Sequence, residues 1–190
     1  MKIVLASSSP RRLNLLTKEG FHIEVVCPNV DESRIGDESP PEYVSRLAQK
    51  KANYAAADNL LTIGADTVVV LNDEFLNKPA SVPEAKMTLE KLSGKKHTVY
   101  TGLSLICSEC GRTDTGFDKT IVHFNVLTES AIIRYIETGE PMDKAGAYGI
   151  QGMGSFLVKR IEGELDTVVG FPMKLFKKMI EVHRKCLEKV

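Results

Sequence analysis

The chain has 190 residues, enough for one sizeable hydrophobic core or at most two small subdomains folded together. Its 25 basic residues balance its 25 acidic residues, so no overall charge favours nucleic acid or a membrane surface as a partner. No apolar run reaches the roughly 18 residues that a membrane-spanning helix requires, and the N-terminus lacks the basic-then-apolar pattern of a signal peptide. These features predict a cytoplasmic protein that binds neither nucleic acid nor a membrane.

The first predicted strand leads directly into a helix. Residues 2–6 (KIVLA) are apolar, as a buried strand requires, and Ser9 and Pro10 suit the N-cap and the first position of a helix. A strand that turns straight into a helix leaves backbone N–H groups at the positive end of the helix dipole, which favours bound anions. Arg11 and Arg12 oppose that dipole and therefore favour a polyanionic ligand; a solvated turn with two surface arginines is the alternative interpretation.

A second strand and a second helix follow. Residues 21–26 alternate with period two, as a half-buried strand does, and an irregular polar stretch comes after them. Ser39 and Glu42 form the pattern of a capping box at the start of the helix. That helix carries Lys50 and Lys51 in its later half.

The rest of the chain continues the alternation of strands and helices. The predicted elements are a strand over 60–71 that is covered on both faces, a turn at Asn72–Asp73, a helix over 83–92, an antiparallel hairpin over 97–107 and 114–125, a helix after Thr128, a glycine-rich loop over 141–154, a strand over 155–161 and a terminal helix after Pro172. This order predicts an α/β or α+β sandwich around a mixed sheet, with residues 1–190 folded as one domain.

The four cysteines are too few and too scattered for a disulfide framework: Cys27, Cys107, Cys110 and Cys186. Cys107 and Cys110 form a single CxxC between two strand-like runs. A zinc site needs two more ligands at a matching spacing, and a redox pair usually opens a helix after a strand. We therefore interpret the CxxC as a hairpin turn.

Asp66 is the most informative charged residue because it lies inside the apolar run of residues 60–71. An unpaired buried carboxylate costs several kcal/mol or more, so Asp66 must meet a cation, a metal or several N–H donors. Glu32, Lys51 and Lys78 each have a simpler explanation as solvated charges. Taken together with the arginines, however, these residues indicate metal-dependent phosphate chemistry. The chain contains no P-loop and no GxGxxG motif.

Four separated motifs closely resemble the signatures of the Maf family of nucleoside-triphosphate pyrophosphatases. They are ASSSPRR (6–12), GADTVV (64–69), KP (78–79) and DKAGAYGIQG (143–152), and the likeness extends from residue 3 to about residue 173. The resemblance implies a single compact mixed α/β sandwich with a central twisted mixed sheet and a substrate cleft, which is the Maf/ITPase-like fold. It also implies hydrolysis of a nucleoside triphosphate between its α and β phosphates, with a homodimer as one assembly to consider.

The resemblance implies a role for each matching residue. Asp66 resembles the proton acceptor that activates water, and Glu32 resembles the acid that works with it, so both are expected to hold a divalent cation such as Mg²⁺ or Mn²⁺. The expected triphosphate-binding set is Ser7, Arg11, Arg12, Lys51 and Lys78. Arg11, Thr67 and Gln151 match the group that prefers dTTP and UTP. The Gln151 amide offers both a donor and an acceptor to a pyrimidine edge.

Several alternatives stay open from the sequence. One alternative function is a nucleotide-binding regulator of cell division that acts through partner proteins, and one alternative substrate class is other modified nucleotides. Lys50 adjoins Lys51, and the sequence does not decide which of the two reaches phosphate. The physiological substrate and the metal are also undetermined.

Overall fold

The structure is a computed structural model that describes residues 2–58 and 60–187, with side chains described for 3–58 and 60–183. Asn59 and the side chain of Cys186 therefore lie outside the described part. The strands are Lys2–Ala6 (β1), His22–Val26 (β2), Leu61–Leu71 (β3), Glu74–Leu76 (β4), Lys96–Cys107 (β5), Arg112–Phe124 (β6) and Val158–Glu162 (β7).

Six α-helices and three short 3-10 helices accompany these strands in the described ranges. The α-helices are Pro10–Lys18 (α1), Pro40–Tyr54 (α2), Val82–Leu92 (α3), Glu129–Glu137 (α4), Leu165–Val169 (α5) and Met173–Leu187 (α6). The 3-10 helices are Glu140–Asp143, Ala145–Ala147 and Gly152–Leu157. None of the helices within residues 2–58 and 60–187 has the length and apolarity that crossing a membrane requires.

The seven strands of the described ranges belong to one sheet, which is mixed as predicted. The order is β2-β1-β3-β5-β6-β7, and β4 pairs with β3 outside this path. β1 runs parallel to both β2 and β3, whereas β4 and β7 pair antiparallel with β3 and β6. Parallel neighbours need crossover connections, and α1 and α2 supply them in the first part of the chain. The expected α/β class with a central mixed sheet is confirmed.

The chain divides into two compact units. The first comprises the chain up to Asp66, Thr101–Asp118 and the chain from Gly170 onward. Its main apolar cluster contains buried residues from β1, α1, β3, β5, α6 and the segment just before α6: Ile3, Leu5, Leu16, Leu61, Ile63, Ala65, Leu103, Leu105, Cys107, Phe171, Met173, Phe176 and Ile180.

The second unit comprises Thr67–Tyr100 and Lys119–Val169. It has an apolar cluster of its own, built on β3, β4, α3, β5, β6, α4 and the 3-10 helical segment after α4: Val69, Leu71, Leu76, Ala85, Leu89, Leu92, Val99, Val122, Phe124, Ile132, Tyr135, Ile136, Ala147, Tyr148 and Leu157. Each unit therefore buries apolar side chains from helices against strands, which is the main stabilising contribution in such layered folds.

The predicted helix starts are present. Ser39 and Glu42 form the capping box of α2, and the Thr128 hydroxyl caps α4 by accepting a hydrogen bond from Ala131 N. Ser9 occupies the N-cap position of α1 without a side-chain capping bond. Its backbone N–H instead donates to Ser7 Oγ at 3.1 Å.

The segment after α4 differs from the prediction in three ways. The glycine-rich stretch, predicted as a loop, contains the three 3-10 helices, and the strand predicted from residue 155 begins at Val158. The short helix α5 was not predicted. Turns of three to six residues carry too few positions to establish a period, so sequence pattern cannot distinguish them from loops.

Candidate active site

Helix α2 lies directly against the backbone of two strands because glycines remove the side chains between them. A Cβ on Gly64 of β3 would stand 2.1 Å from the Ala48 carbonyl oxygen, and one on Gly102 of β5 would stand 2.2 Å from the Val44 carbonyl oxygen. Real Cβ atoms do not approach backbone so closely, so only glycine fits. This close packing brings the inward face of α2 to the strand that carries Asp66.

Lys51 of α2 joins the two predicted acids. Its Nζ lies 2.5 Å from Asp66 Oδ1 and 2.6 Å from Glu32 Oε1. The Lys51 and Asp66 side chains are only 8% and 9% exposed, whereas the Glu32 side chain is 47% exposed. The partner that a carboxylate inside β3 required is therefore a cation, Lys51, and the acid in the irregular segment completes an Asp–Lys–Glu cluster.

The polar segment that carries Glu32 is held by the same helix. Tyr43 Oη donates to the Glu32 carbonyl at 3.0 Å, Arg46 Nη2 to the Ser33 carbonyl at 3.0 Å, and Lys50 Nζ to the Asp31 carbonyl at 2.8 Å. The two adjacent lysines therefore have different partners: Lys51 contacts the side chains of Asp66 and Glu32, and Lys50 contacts the backbone carbonyl of Asp31.

Sequence reasoning missed the contributions of Tyr43 and Arg46. The sequence feature that could have indicated these contributions is the spacing of positions 43, 46 and 50, which places the three side chains on one side of the helix. The pattern could not show that an irregular segment crosses that side.

Arg12 and Ser7 form a second set of contacts in the first unit. Arg12 Nε donates to the Gly170 carbonyl at 2.7 Å, and its Nη1 donates to the Ala65 carbonyl at 2.9 Å and to Ser7 Oγ at 3.1 Å. The guanidinium therefore ties α1 to the residue before Asp66. Arg11, the neighbouring predicted cation, is half-buried on α1.

The charges of this cluster perturb one another. Burial raises the pKa of Asp66 above its usual range, and the positive charges of Lys51 and Arg12 oppose this rise. Burial likewise lowers the pKa of the Arg12 guanidinium, with Asp66 acting in the opposite direction. Burial, together with the negative charges of Asp66 and Glu32, raises the pKa of Tyr43 to about 12, so its hydroxyl stays protonated and can donate to Glu32.

The remaining predicted residues belong to the second unit. Thr67 is half-buried in β3 directly after Asp66, and Lys78 and Gln151 are exposed. The backbone N–H of Gly146 donates to the Asn77 carbonyl at 3.2 Å, so the residue before Lys78 is bonded to the glycine-rich segment. A Cβ on Gly146, whose φ is +71°, would stand 2.9 Å from Val69 Cγ2. The segment is thus packed closely on β3.

Two buried tyrosines fix the part of this segment that precedes Gln151. Tyr135 Oη accepts a hydrogen bond from Gly149 N at 2.9 Å, and Tyr148 Oη shares one of 2.7 Å with His97 Nε2. His97 also makes edge contacts with the rings of Phe124 and Tyr148. Burial lowers the pKa of His97 to about 3, so the imidazole is neutral near pH 7.

The described residues include no group of three or more His, Cys, Asp or Glu side chains arranged to hold a metal. Glu32 and Asp66 nonetheless suit a metal that arrives with a nucleotide. Mg²⁺ is commonly bound by one or two carboxylates, with phosphate oxygens and water completing its octahedral shell. Glu32 and Asp66 supply two such carboxylates, both in contact with the Lys51 ammonium.

The fold and the Asp–Lys–Glu cluster define only a broad class, an α/β protein with a buried charged site. Comparison with known proteins identifies the family within this class. The family model described as "Maf-like protein" matches residues 2–183. The chain therefore belongs to the Maf-like protein family.

Relatives from several bacteria are similar over most of their length. A protein of Vibrio cholerae serotype O1 named dTTP/UTP pyrophosphatase is 48% identical over 175 residues, which cover 90% of this chain and 92% of that protein. Proteins with the same name from Thermotoga maritima and Caldicellulosiruptor saccharolyticus are 48% and 42% identical, covering 91% and 95% of this chain and 85% and 94% of theirs. Among solved structures, the Staphylococcus aureus Ham1 protein matches 65% of this chain and 72% of its own, with a TM-score of 0.48 and 18% identity.

Proposed function

We propose that this protein hydrolyses nucleoside triphosphates between the α and β phosphates, releasing a nucleoside monophosphate and pyrophosphate, and that it prefers dTTP, UTP and modified pyrimidine nucleotides. The names of relatives at 42–48% identity support this activity. The observation that carries it in this chain is the Lys51 ammonium held between Asp66 and Glu32. The role is house-cleaning of the nucleotide pool in the cytoplasm by a single domain over residues 1–190.

Asp66 is proposed as the proton acceptor for the attacking water. A general base works best when its pKa approaches the working pH, and burial raises the pKa of Asp66 in that direction. Lys51 keeps the carboxylate ionised and oriented by its 2.5 Å contact. Asp66 would take the proton from water as the water oxygen attacks the α phosphorus, and pyrophosphate leaves with the bond electrons.

Glu32 and Asp66 are proposed to hold a divalent cation, Mg²⁺ or Mn²⁺, which neutralises charge on the phosphate oxygens when it is bound. Glu32 suits this role because its side chain is half-exposed and its backbone carbonyl is fixed by Tyr43. Lys51 would then share its positive charge with the same phosphate oxygens.

The other proposed contacts divide into phosphate and base recognition. Ser7, Arg11, Arg12 and Lys78 are proposed to bind the triphosphate, because pyrophosphate departs with a large negative charge and cations lower the barrier where that charge develops. Arg12 also positions Asp66 through its bond to the Ala65 carbonyl. Thr67 and Gln151 are proposed to select the base.

A product assay tests the proposed reaction. Purified protein is incubated with Mg²⁺ or Mn²⁺ and each common nucleoside triphosphate, and pyrophosphate and orthophosphate are quantified separately. We expect pyrophosphate and monophosphate in equal amounts, fastest with dTTP and UTP. Orthophosphate as the main product would refute cleavage at the α–β bond.

The same assay separates the enzyme from the nucleotide-binding regulator. A regulator would bind nucleotides without turnover, whereas the enzyme loses turnover when Asp66 is replaced by Asn. The Asp66→Asn protein, purified in the same way, also controls for contaminating phosphatases. Adding modified pyrimidine triphosphates to the panel tests the wider substrate range.

A further inference from the structure

The turn between β5 and β6 holds a cysteine pair that the proposed nucleotide chemistry does not use. Cys107 is the last residue of β5, and Cys110 lies three residues later in the turn before β6. Cys107 is 1% exposed within the apolar cluster of the first unit, whereas Cys110 is exposed, and both are thiols in this structure. The turn thus combines one buried and one accessible sulfur.

The two cysteine side chains interact within the turn. Burial raises the pKa of the Cys107 thiol, and the side-chain hydrogen bond with Cys110 raises it further, whereas the backbone N–H groups of Cys110 and Glu109 act in the opposite direction. Because burial disfavours the Cys107 thiolate, and the thiolate is the form that attacks a disulfide, the exposed Cys110 is the better placed sulfur for the first attack. Gly111, with a φ of +67°, adopts the left-handed conformation that lets the chain turn back into β6.

The turn is also anchored. Ser108 Oγ donates to the Ala57 carbonyl at 2.6 Å, and it lies 3.4 Å from the Leu60 carbonyl oxygen. Because the backbone around the cysteines is already fixed, joining the sulfurs requires little further ordering of the chain.

A metal site is less well supported than a disulfide. Zn²⁺ would use both sulfurs and need two more ligands, yet no third His, Cys, Asp or Glu side chain gathers with them among the described residues. A disulfide needs only the two sulfurs that the turn already brings together.

We propose that Cys107 and Cys110 form a reversible intrachain disulfide, in which the exposed Cys110 reacts first and the buried Cys107 resolves. The Cys110 thiolate attacks a small disulfide oxidant, whose S–S bond breaks and releases one thiolate. Cys107 then loses its proton and attacks Cys110 Sγ in the mixed disulfide, which releases the second thiolate. Overall, two protein thiols are oxidised to one disulfide and the oxidant is reduced to two thiols.

The experiment equilibrates the full-length protein with mixtures of reduced and oxidised glutathione, blocks free thiols with an alkylating agent, and maps tryptic peptides by mass spectrometry. Fragment 97–112 contains both cysteines, and fragment 19–34 contains Cys27 as an internal exposed control. We expect fragment 97–112 to lose two hydrogens and escape alkylation as the oxidised fraction rises, and to recover on reduction. Cys27 should not gain a partner within the chain.

Two variants test the order of reaction. Cys107→Ala should leave Cys110 trapped as the mixed disulfide with glutathione, whereas Cys110→Ser should leave Cys107 reduced because its sulfur is buried. Circular dichroism of both variants verifies folding. Equal glutathione adducts on the two variants would overturn the proposed order.

Two other results would overturn the disulfide itself. One is a dithiol that stays fully reduced in oxidised glutathione alone. The other is zinc bound at one ion per chain in the purified reduced protein and lost in both cysteine variants, as measured by elemental mass spectrometry.

Discussion

Lys51 and Asp66 form a buried ion pair between helix α2 and strand β3, with Nζ and Oδ1 2.5 Å apart and both side chains less than one-tenth exposed. A buried pair of this kind adds little net stability, but removing one partner leaves an uncompensated charge in a low-dielectric environment. The pair is therefore both the chemical centre of the proposed site and a point at which single substitutions have large effects.

Replacing Lys51 by Met should lower the free energy of unfolding at pH 7 by about 3–5 kcal/mol, because Asp66 loses its buried cation. Burial already raises the pKa of Asp66, and losing Lys51 raises it further. A carboxyl whose pKa is raised on folding destabilises the native state as the pH rises through that pKa. Urea denaturation should therefore show the variant regaining stability as the pH is lowered from 7 towards 4.

Lys50→Met is the matched control for this prediction. Lys50 precedes Lys51 on the same helix but donates to the Asp31 carbonyl at the surface. Its replacement should cost clearly less stability and should leave no such pH dependence. Equal losses from the two variants would contradict the distinct placement of the two lysines.

Asp66→Asn should reduce turnover by at least about a hundredfold, because the amide cannot accept the proton from water. The amide keeps the shape of the side chain, so nucleotide binding should persist, and isothermal calorimetry with a triphosphate measures it. Turnover equal to that of the unmodified protein would remove Asp66 as the base.

Gly64→Ala should separate α2 from β3 and destabilise the protein by about 3 kcal/mol, since its Cβ would stand 2.1 Å from the Ala48 carbonyl oxygen. Activity should fall as well, because the shift moves Lys51 away from Asp66. Gly116→Ala on β6 is the control: its Cβ would stand 3.0 Å from the flexible end of Met179. Thermal denaturation should give a lower melting temperature for Gly64→Ala, which crowds backbone, than for Gly116→Ala, which crowds a flexible side chain. Similar melting temperatures for the two variants would contradict the prediction.

Acid should destabilise the protein through His97, whose pKa burial lowers to about 3. In the unfolded chain the pKa of this imidazole is about 6.5. Between the two pKa values the unfolded state therefore binds one more proton than the folded state, and the free energy of unfolding falls as the pH drops. By this linkage His97 contributes about 2 kcal/mol of the loss between pH 7 and pH 5.

His97→Gln removes that titration. The free energy of unfolding of this variant should be lower at pH 7, because the hydrogen bond between His97 and Tyr148 is lost. It should also fall less steeply between pH 7 and pH 5 than the free energy of unfolding of the unmodified protein. Chemical denaturation at a series of pH values measures both slopes. Parallel curves would show that His97 does not carry the acid sensitivity.

Substitution of Thr67 or Gln151 should change the ratio of dTTP and UTP hydrolysis to that of purine triphosphates more than it changes the overall rate. A lost hydrogen bond to a base edge typically costs about 1–3 kcal/mol of discrimination when the partner group is left unpaired. Ratios of kcat/KM across a nucleotide panel provide the measurement. Equal losses on all substrates would argue against a role in base selection.

Local sequence patterns predict most of the elements of secondary structure and the need for a partner at Asp66. The capping pattern at Ser39 and Glu42, the apolar run around Asp66 and the four motifs are local features, and local features depend on near neighbours in the chain. They were sufficient to predict the α/β class and to identify the Maf-like family.

Which side chains contact each other depends on how the helices and strands pack in three dimensions. Consecutive residues on a helix point about 100° apart, so the contact of α2 with β3 selects Lys51 for Asp66 and leaves Lys50 to the Asp31 carbonyl. The same packing assigns Tyr43 to Glu32 and gives Arg12 two carbonyl partners far along the chain. Such contacts depend on how distant elements pack, and no short-range pattern in the sequence encodes them.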